Sequence, residues 1–234
     1  MLRLLAFVVL SCAAFAQDER RITSPNGQIE FRLFIAVQES NNLPRLSYEV
    51  LYRGQPLLKT SFMGLDIEVQ EPLLGENVGL TSSNSTKSEK YNSLIAHYMQ
   101  NGSLGRLIDV EARVYNDGVA FRYVIPRSTP LLEFVITEEA TEFHFAEKET
   151  NMEFGPGKTD FLLMRLRSAW VSISGSAVDD YPSIHFMSTN PTTYLVRLDS
   201  KFLGTTPLTC PWRIISVGID PKHVISATVT ELNR

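Results

Sequence analysis

Residues 113–123 read RVYNDGVAFRY, a turn dipeptide set between two runs that each favour a β-strand. Upstream, residues 107–114 alternate between apolar and polar side chains, which is the two-residue period of a strand with one buried face. Downstream, residues 119–125 form the return strand and Pro126 ends it. Because Asp-Gly between two such runs is a strong hairpin signal, the sequence predicts an antiparallel hairpin with Gly118 at positive φ in its turn.

The same pattern of short apolar runs separated by turn residues recurs on both sides of the hairpin. No window predicts a long amphipathic helix, and residues 81–90 are polar enough to predict a loop. Further strands are predicted over residues 29–35, 46–52, 65–69, 132–137, 142–145, 170–174, 193–198, 212–217 and 226–231. Many short strands with regular turns predict an all-β fold, either a sandwich or a barrel.

Length and charge narrow the class of protein. The 234 residues carry a formal net charge of -4, and a chain of that length can bury a sufficient core without disulfides or metals. The mild acidity offers no electrostatic surface for nucleic acid, and no polybasic run predicts membrane-surface binding. With no fixed-period repeat and no flexible linker, one domain is the simplest organisation.

The first residues are predicted to be an export signal. Residues 1–16 combine a short basic start, an apolar run and small residues before a cleavage point between Ala16 and Gln17. The mature domain then covers residues 17–234, and the protein is periplasmic or extracellular. An alternative is a lipoprotein signal with Cys12 as the lipidated residue. No other apolar segment is long enough to cross a membrane, so no transmembrane segment is expected.

Motifs for catalysis are absent from the sequence. There is no nucleophile elbow, P-loop, Rossmann glycine pattern or zinc-protease motif, and Cys210 reads as a buried small hydrophobe. The carboxylate pairs Glu138/Glu139 and Asp179/Asp180 point to opposite faces of a strand, and Asp66/Glu68 lie in a plain alternating strand. These carboxylates are predicted to face solvent, so no catalytic residue is assigned.

Two remaining possibilities concern sugars. Trp170 and Trp212, with Arg213 beside the latter, are the candidates for carbohydrate contact, although core aromatics in a sandwich are at least as common. A mutarotase-like catalytic site would need an acid and a base placed together. The candidates for such a pair are His97 or His144 with Glu138 or Glu142. Their spacing in the sequence does not predict that they lie together.

Several segments together resemble the N-terminal domain of glycoside hydrolase family 97. The hairpin RVYNDGVAFRY at 113–123 and the strand CPWRII at 210–215 are the specific ones. Weaker matches extend the resemblance from about residue 22 to the last residue: SPNG at 24–27, LSYEV at 46–50, YRGQP at 52–56, SFMGL at 61–65, ITEEATEF at 136–143 and LN at 232–233.

The resemblance implies a large two-sheet antiparallel β-sandwich of the galactose-mutarotase-like kind. In that family the sandwich accompanies a (β/α)8 barrel, which carries the catalytic acid and the base or nucleophile for hydrolysis of α-glucosides or α-galactosides. Such a barrel needs about 250 residues, which is more than the whole chain. No activity is therefore expected from this chain alone, and a separate catalytic barrel and an α-linked carbohydrate are the expected partners.

The resemblance also bears on calcium, which the family uses. A glutamate of this domain is expected among the calcium ligands, in a segment that matches WVSISGSAVDDYP at 170–182. Gly175 stands at that position, so the ligand is missing and no metal cofactor is expected. Two readings follow: a non-catalytic carbohydrate-binding module, or a truncated or split fragment of a family 97 enzyme that needs the barrel in trans.

Overall fold

The computed structural model describes residues 18–38, 42–102, 105–154, 160–231 and 233. The predicted cleavage between Ala16 and Gln17, and the alternative lipidation at Cys12, lie outside these residues.

Most of the described residues lie in β-strands. The strands are β1 (Arg20–Thr23), β2 (Ile29–Gln38), β3 (Leu43–Tyr52), β4 (Gln55–Phe62), β5 (Leu65–Ile67), β6 (Val78–Thr86), β7 (Tyr91–Gln100), β8 (Leu107–Tyr115), β9 (Gly118–Ile125), β10 (Glu133–Glu139), β11 (Glu142–His144), β12 (Asn151–Phe154), β13 (Phe161–Arg165), β14 (Trp170–Gly175), β15 (Ile184–Asn190), β16 (Thr193–Leu198), β17 (Phe202–Thr205), β18 (Leu208–Thr209) and β19 (Arg213–Gly218). Two short helices follow, α1 (Pro221–Ile225) and α2 (Thr228–Glu231).

The strands form a two-layer antiparallel sandwich, which confirms the predicted fold class. One layer is a nine-stranded sheet in the order β12-β13-β14-β19-β9-β8-β7-β6, with β18 added beside β9. The other layer is divided into three smaller sheets, β1-β2-β3-β4, β17-β10-β5 and β11-β16-β15. Because inward-facing residues of both layers are apolar, the core lies between them and runs the length of the molecule.

Aromatic rings join the two layers at the centre of the core. Phe121 of β9 lies 4.8 Å from Tyr48 and 6.0 Å from Phe31, measured between ring centroids. Phe143 of β11 continues the cluster, 6.3 Å from Phe121. Offset and edge-on contacts at these distances add about 0.5–1.5 kcal/mol per pair beyond the burial of apolar surface. The hairpin strand β9 is therefore the strand against which the opposite layer packs.

The hairpin at 107–125 forms as predicted, but Gly118 is needed for a different reason. Tyr115 pairs directly with Gly118, which leaves a two-residue turn at Asn116 and Asp117, and Gly118 does not have a positive φ. A Cβ at Gly118 would lie 2.6 Å from Val229 Cγ1 and closer still to the carbonyl oxygen of Ile215. The glycine thus permits close packing of β9 against β19 and the C-terminal segment.

A second apolar cluster lies on the outer face of the nine-stranded sheet. Ala227 and Val229 of the C-terminal segment cover Tyr115, Ala120 and Ile214 there. The hairpin turn holds this segment, because the Asp117 carboxylate accepts hydrogen bonds from the backbone N–H groups of residues 228 and 229. The same segment therefore closes a sheet face that would otherwise expose apolar side chains.

Asn233 fastens the far end of the C-terminal segment. Its side chain is 2% exposed, donates to the Val229 carbonyl oxygen and the Tyr115 hydroxyl, and accepts from Arg113 Nη1 at 2.9 Å. Both ends of the segment are thus tied to the hairpin.

Three expectations about secondary structure were wrong. Residues 81–86 belong to strand β6 rather than to a loop. Because β6 is an edge strand, its polar side chains can face solvent while its backbone forms hydrogen bonds with β7. Residues 228–231 are helical rather than extended, because Asp117 caps their N–H groups. The strand predicted over 65–69 ends at Ile67, where a turn places Val69 at a φ of 60°.

Within the described ranges, none of the helices is long and apolar enough to cross a membrane.

Replacing Gly118 by alanine tests the packing explanation. We expect Gly118→Ala to lower the free energy of unfolding by about 2–3 kcal/mol, because the new methyl group overlaps backbone and side-chain atoms that cannot move apart. Gly79→Ala is the matched control: Gly79 also lies in a strand without positive φ, and its nearest atom is 3.9 Å from the added Cβ. Urea unfolding should show little change for the control; equal losses for both would contradict the steric explanation.

Candidate functional site

Gly175 and Arg213, both singled out by the sequence, lie directly opposite each other on neighbouring strands β14 and β19. They border a small pocket of about 150 Å³ at the edge of the sandwich, together with Ser176, Tyr181, Ile184 and Pro211. Since one water molecule needs about 10–15 Å³ in this measure, the pocket holds several waters or one small polar group. The site is therefore polar and confined.

The Arg213 side chain lies inside the protein, where it forms an ion pair with Glu139. Arg213 Nε donates to Glu139 Oε1 at 2.7 Å, and Nη2 donates to Oε2 in the parallel bond of a bidentate pair. Both side chains are 1% exposed. Because Glu139 belongs to β10 and Arg213 to β19, this ion pair connects the two layers of the sandwich.

Electrostatics keep the pair charged. Burial lowers the pKa of Arg213, but the Glu139 charge and its hydrogen bonds raise that pKa by more, so the net shift is upward. The Arg213 Nη1 group also donates to the carbonyl oxygen of Trp212 at 3.3 Å. A buried charge with such partners is stable in place, whereas the same charge without its partner is strongly destabilising.

A chain of hydrogen bonds extends from the ion pair towards the other side of the core. Thr141 Oγ1 donates to Glu139 Oε1 at 2.9 Å. The single hydroxyl hydrogen of Thr141 is thereby used, so the Tyr123 hydroxyl is the donor in its 2.6 Å contact with Thr141 Oγ1. Tyr123 in turn accepts from the Gly64 N–H at 3.1 Å. Burial raises the pKa of Tyr123 well above its ordinary value, so it remains a protonated donor.

Tyr181 lines the pocket, and Cys210, next to the lining residue Pro211, is buried. Among the described residues, no group makes a hydrogen bond of good geometry to the buried Tyr181 hydroxyl. Burial raises the pKa of this hydroxyl well above its ordinary value; the Cys210 thiol raises it further, and the Arg213 charge lowers it. Burial, followed by the Glu139 charge, raises the pKa of Cys210 to about 12. Cys210 is 1% exposed, so the thiol is neutral and inaccessible, which is the environment of a structural cysteine rather than a nucleophile.

The surroundings of Gly175 do not fit a calcium ion. A Cβ at this position would lie 2.9 Å from Arg213 Nη1 and 2.8 Å from Ile184 Cδ1, so a glutamate has no room unless these groups move. The nearest charge is a guanidinium, which repels a cation, whereas Ca²⁺ takes 6–8 oxygen ligands. In the part of the chain that the structure describes, no cluster of three His, Cys, Asp or Glu residues could hold a metal ion.

The two tryptophans occupy different environments. Trp212 is 7% exposed and lies between two guanidinium groups, 4.5 Å from Arg113 and 4.3 Å from Arg122, measured from each Cζ to the ring centroid. Trp170 is half-buried on β14, with Arg165 Cζ 5.7 Å from its ring. Trp212 therefore packs as a core aromatic with cation–π partners, while Trp170 keeps part of its ring accessible.

The residues considered for a mutarotase-like site make contacts with other groups rather than with one another in the described part of the chain. His97 Nδ1 contacts Asp109 Oδ1 at 2.9 Å on the outer sheet face, while Glu138 lies 3.7 Å from Arg197. Glu142 Oε2 accepts weakly from the Phe62 N–H at 3.4 Å. Within the described ranges no hydrogen bond or ion pair joins His97 or His144 to either glutamate, and the acid–base pair is not assembled.

Sequence reasoning missed the most buried members of the site. Glu139 was expected to face solvent with the other paired carboxylates, which is wrong, because β10 turns it inward to meet Arg213. Thr141 and Tyr181 were not singled out at all. Strand alternation gave no signal for Glu139: residues 134 and 136 are apolar and buried, so a period of two would turn residue 138 inward, and only the register shift after Ile136 brings Glu139 to the inner face.

The fold and the site together define a β-sandwich module in which a buried ion pair, Glu139 with Arg213, connects the two layers. A family model described as glycosyl-hydrolase 97 N-terminal matches residues 22–160. The match covers more than half of the chain, so the protein belongs to the glycosyl-hydrolase 97 N-terminal family.

Solved structures share this fold. A glycoside hydrolase family 97 enzyme from Pseudoalteromonas sp. strain K8, in complex with acarbose, is 19% identical with a TM-score of 0.72, and the alignment covers 85% of this chain and 35% of the enzyme. A variant of that enzyme in complex with panose is 19% identical with a TM-score of 0.71, and the alignment covers 85% of this chain and 35% of the enzyme. A β-arabinopyranosidase is 21% identical with a TM-score of 0.69, and the alignment covers 85% of this chain and 40% of that protein. The chain thus spans little more than a third of these proteins, and the likeness concerns the fold.

Breaking the ion pair from one side tests its structural role. We expect Glu139→Gln to reduce the free energy of unfolding by about 3–5 kcal/mol, because Arg213 is left buried without a counter-charge. Replacing both residues by methionine should cost less than Glu139→Gln alone, since no unpaired charge remains. Urea unfolding of Glu139→Met, Arg213→Met and the double methionine variant completes the cycle; losses that simply add would show that the two side chains do not interact.

Proposed function

We propose that this domain is a non-catalytic, carbohydrate-binding-type module of an exported system that hydrolyses α-glycosides. The observation that carries the proposal is the family match over residues 22–160 together with the short span of the chain relative to family 97 enzymes. Two of those structures contain acarbose or panose, which makes an oligosaccharide the ligand class to test. Export rests on the signal pattern of residues 1–16.

The arrangement of carboxylates supports a non-catalytic role. A glycosidase places two carboxyl groups on either side of an accessible bond, about 5–10 Å apart. Here Glu139 is buried and neutralised by Arg213, its neighbour Glu138 faces Arg197, and Glu68 forms an ion pair with Lys201. These acids are engaged in structural pairs, so hydrolysis would require groups from another domain.

The proposed role requires no calcium ion bound by this domain. With Gly175 in place of a carboxylate and the Arg213 guanidinium beside it, the module contributes no calcium ligand at this position. Any cation requirement of an associated enzyme would come from that enzyme.

N-terminal sequencing of the exported protein tests the predicted cleavage, and the sequence should begin at Gln17. Two assays on the purified mature chain test the proposed function. We expect no release of nitrophenol from nitrophenyl α-glucoside or α-galactoside, with or without calcium, because the carboxylates compared above in the described ranges are held in ion pairs. Isothermal titration with maltotriose, isomaltose and melibiose should show binding to at least one. Hydrolysis by the chain alone, or the absence of heat with every sugar, would refute the proposal.

An exposed apolar patch favours the second reading, in which a catalytic (β/α)8 chain is supplied in trans. Leu203 pairs with Val135 on the outer face of the β17-β10-β5 sheet, and Glu68, just before Val69, bonds to Val135. Leu203 is 68% exposed and Val69 is 95% exposed. Clustered apolar residues on a surface are typical of protein contacts.

The split-enzyme reading predicts a gene for a barrel-only chain near this one. It also predicts that the barrel co-elutes with this domain in size-exclusion chromatography and that Leu203→Lys abolishes co-elution. Val37→Lys is the control, since Val37 is similarly exposed on a different sheet. The lack of any such reading frame would exclude this version.

A further inference from the structure

A groove opens at one end of the sandwich, where the β15–β16 hairpin faces strands β12 and β13 of the other layer. Its volume is about 490 Å³, which lies within the range of about 300–1,000 Å³ that is usual for organic ligands. The pocket beside Gly175, at about 150 Å³, is below that range. Size alone therefore directs an oligosaccharide to the groove rather than to the Arg213 site.

From its shape and lining, we propose that this groove binds a neutral, pyranose-based oligosaccharide. The proposal rests on the proposed carbohydrate-binding function and gives it a location.

The floor of the groove is apolar. Met152, Leu162, Phe186 and Tyr194 line it, and Phe186 and Met152 are part-buried, packing against the main core. Phe186 stands edge-on against Phe143, with 5.7 Å between the ring centroids, so its position is fixed by the core. A pyranose ring has an apolar C–H face, and a rigid aromatic surface supplies the complementary contact.

The rim provides hydrogen-bonding groups above this floor. Asn190 uses its Oδ1 atom to hold the hairpin turn, accepting from Thr192 N at 2.9 Å. Its Nδ2 atom has no partner among the described residues and is available to donate. The Tyr194 hydroxyl has only the Met152 sulfur at 3.9 Å, which is a weak acceptor. Both groups can bind sugar hydroxyls without first breaking a strong hydrogen bond.

Charge on the rim favours a neutral ligand. Lys148 and Glu149 are the charged residues that line the groove, and their charges cancel. Burial, followed by the Glu149 charge, raises the pKa of Tyr194 to about 12, so its hydroxyl stays protonated near neutral pH. Among the described residues, the lining combines an apolar floor, neutral donors and balanced charges, which suits a sugar better than an anionic or cationic ligand.

The test is isothermal titration of the chain with maltotriose, isomaltotriose and melibiose. Phe186→Leu keeps apolar volume in the floor but removes the ring, and Tyr194→Phe removes only the hydroxyl. We expect each to weaken the affinity for the bound sugar by about five- to tenfold, in line with the loss of one aromatic contact or one hydrogen bond. Trp170→Ala is the control, because Trp170 is a part-exposed aromatic outside the groove, and it should bind as the wild type does.

The outcomes separate the location from the function. If the wild type binds a sugar and both groove variants bind it equally well, the proposed location in the groove is wrong, while the proposed carbohydrate-binding function is retained. Loss of binding in Trp170→Ala alone would move the site to β14. If the wild type binds none of the three sugars, both proposals fail. Thermal melting of each variant shows whether a loss of affinity reflects unfolding instead, and Tyr194→Phe, which removes no packing volume, then decides the question.

Discussion

The buried ion pair between Glu139 and Arg213 is the constraint around which the two layers are arranged. One partner belongs to the small β17-β10-β5 sheet and the other to the nine-stranded sheet, so the bidentate geometry fixes both the spacing and the orientation of the layers. Apolar packing alone tolerates small shifts between sheets, whereas parallel N–H···O bonds do not. The hydrogen bonds through Thr141 and Tyr123 to Gly64 extend this fixed geometry across the core.

The same pair limits what the site can do. The Glu139 carboxylate accepts two bonds from a guanidinium and one from a threonine, so its oxygens are engaged by groups of the protein itself. The absence of a side chain at Gly175 leaves space that the Arg213 guanidinium partly occupies. A residue pattern that could have served catalysis or metal binding is therefore used here to hold the structure together.

How far the sequence predicts this molecule depends on how local each signal is. The hairpin at 107–125 was predicted because alternation and an Asp-Gly turn are properties of adjacent residues, and the resemblance supplied the sandwich. The reason for Gly118 could not be predicted, since it depends on Ile215 and Val229, about a hundred residues away. The inward turn of Glu139 depends likewise on a register shift in β10 and on a partner in β19. Long-range contacts, rather than local propensity, decide both positions.

The pocket beside Gly175 and the groove at the β15–β16 hairpin differ in the kind of groups that line them. At Gly175 the interior ends in charged groups that satisfy one another, so a ligand entering there must compete with a bidentate ion pair. At the β15–β16 hairpin the interior ends in apolar side chains, with polar groups that lack strong protein partners. Binding in the groove removes apolar surface from water and leaves the interlayer contacts unchanged. The proposed recognition site is thus separate from the interlayer ion pair, because the groups that hold the layers together do not line the groove.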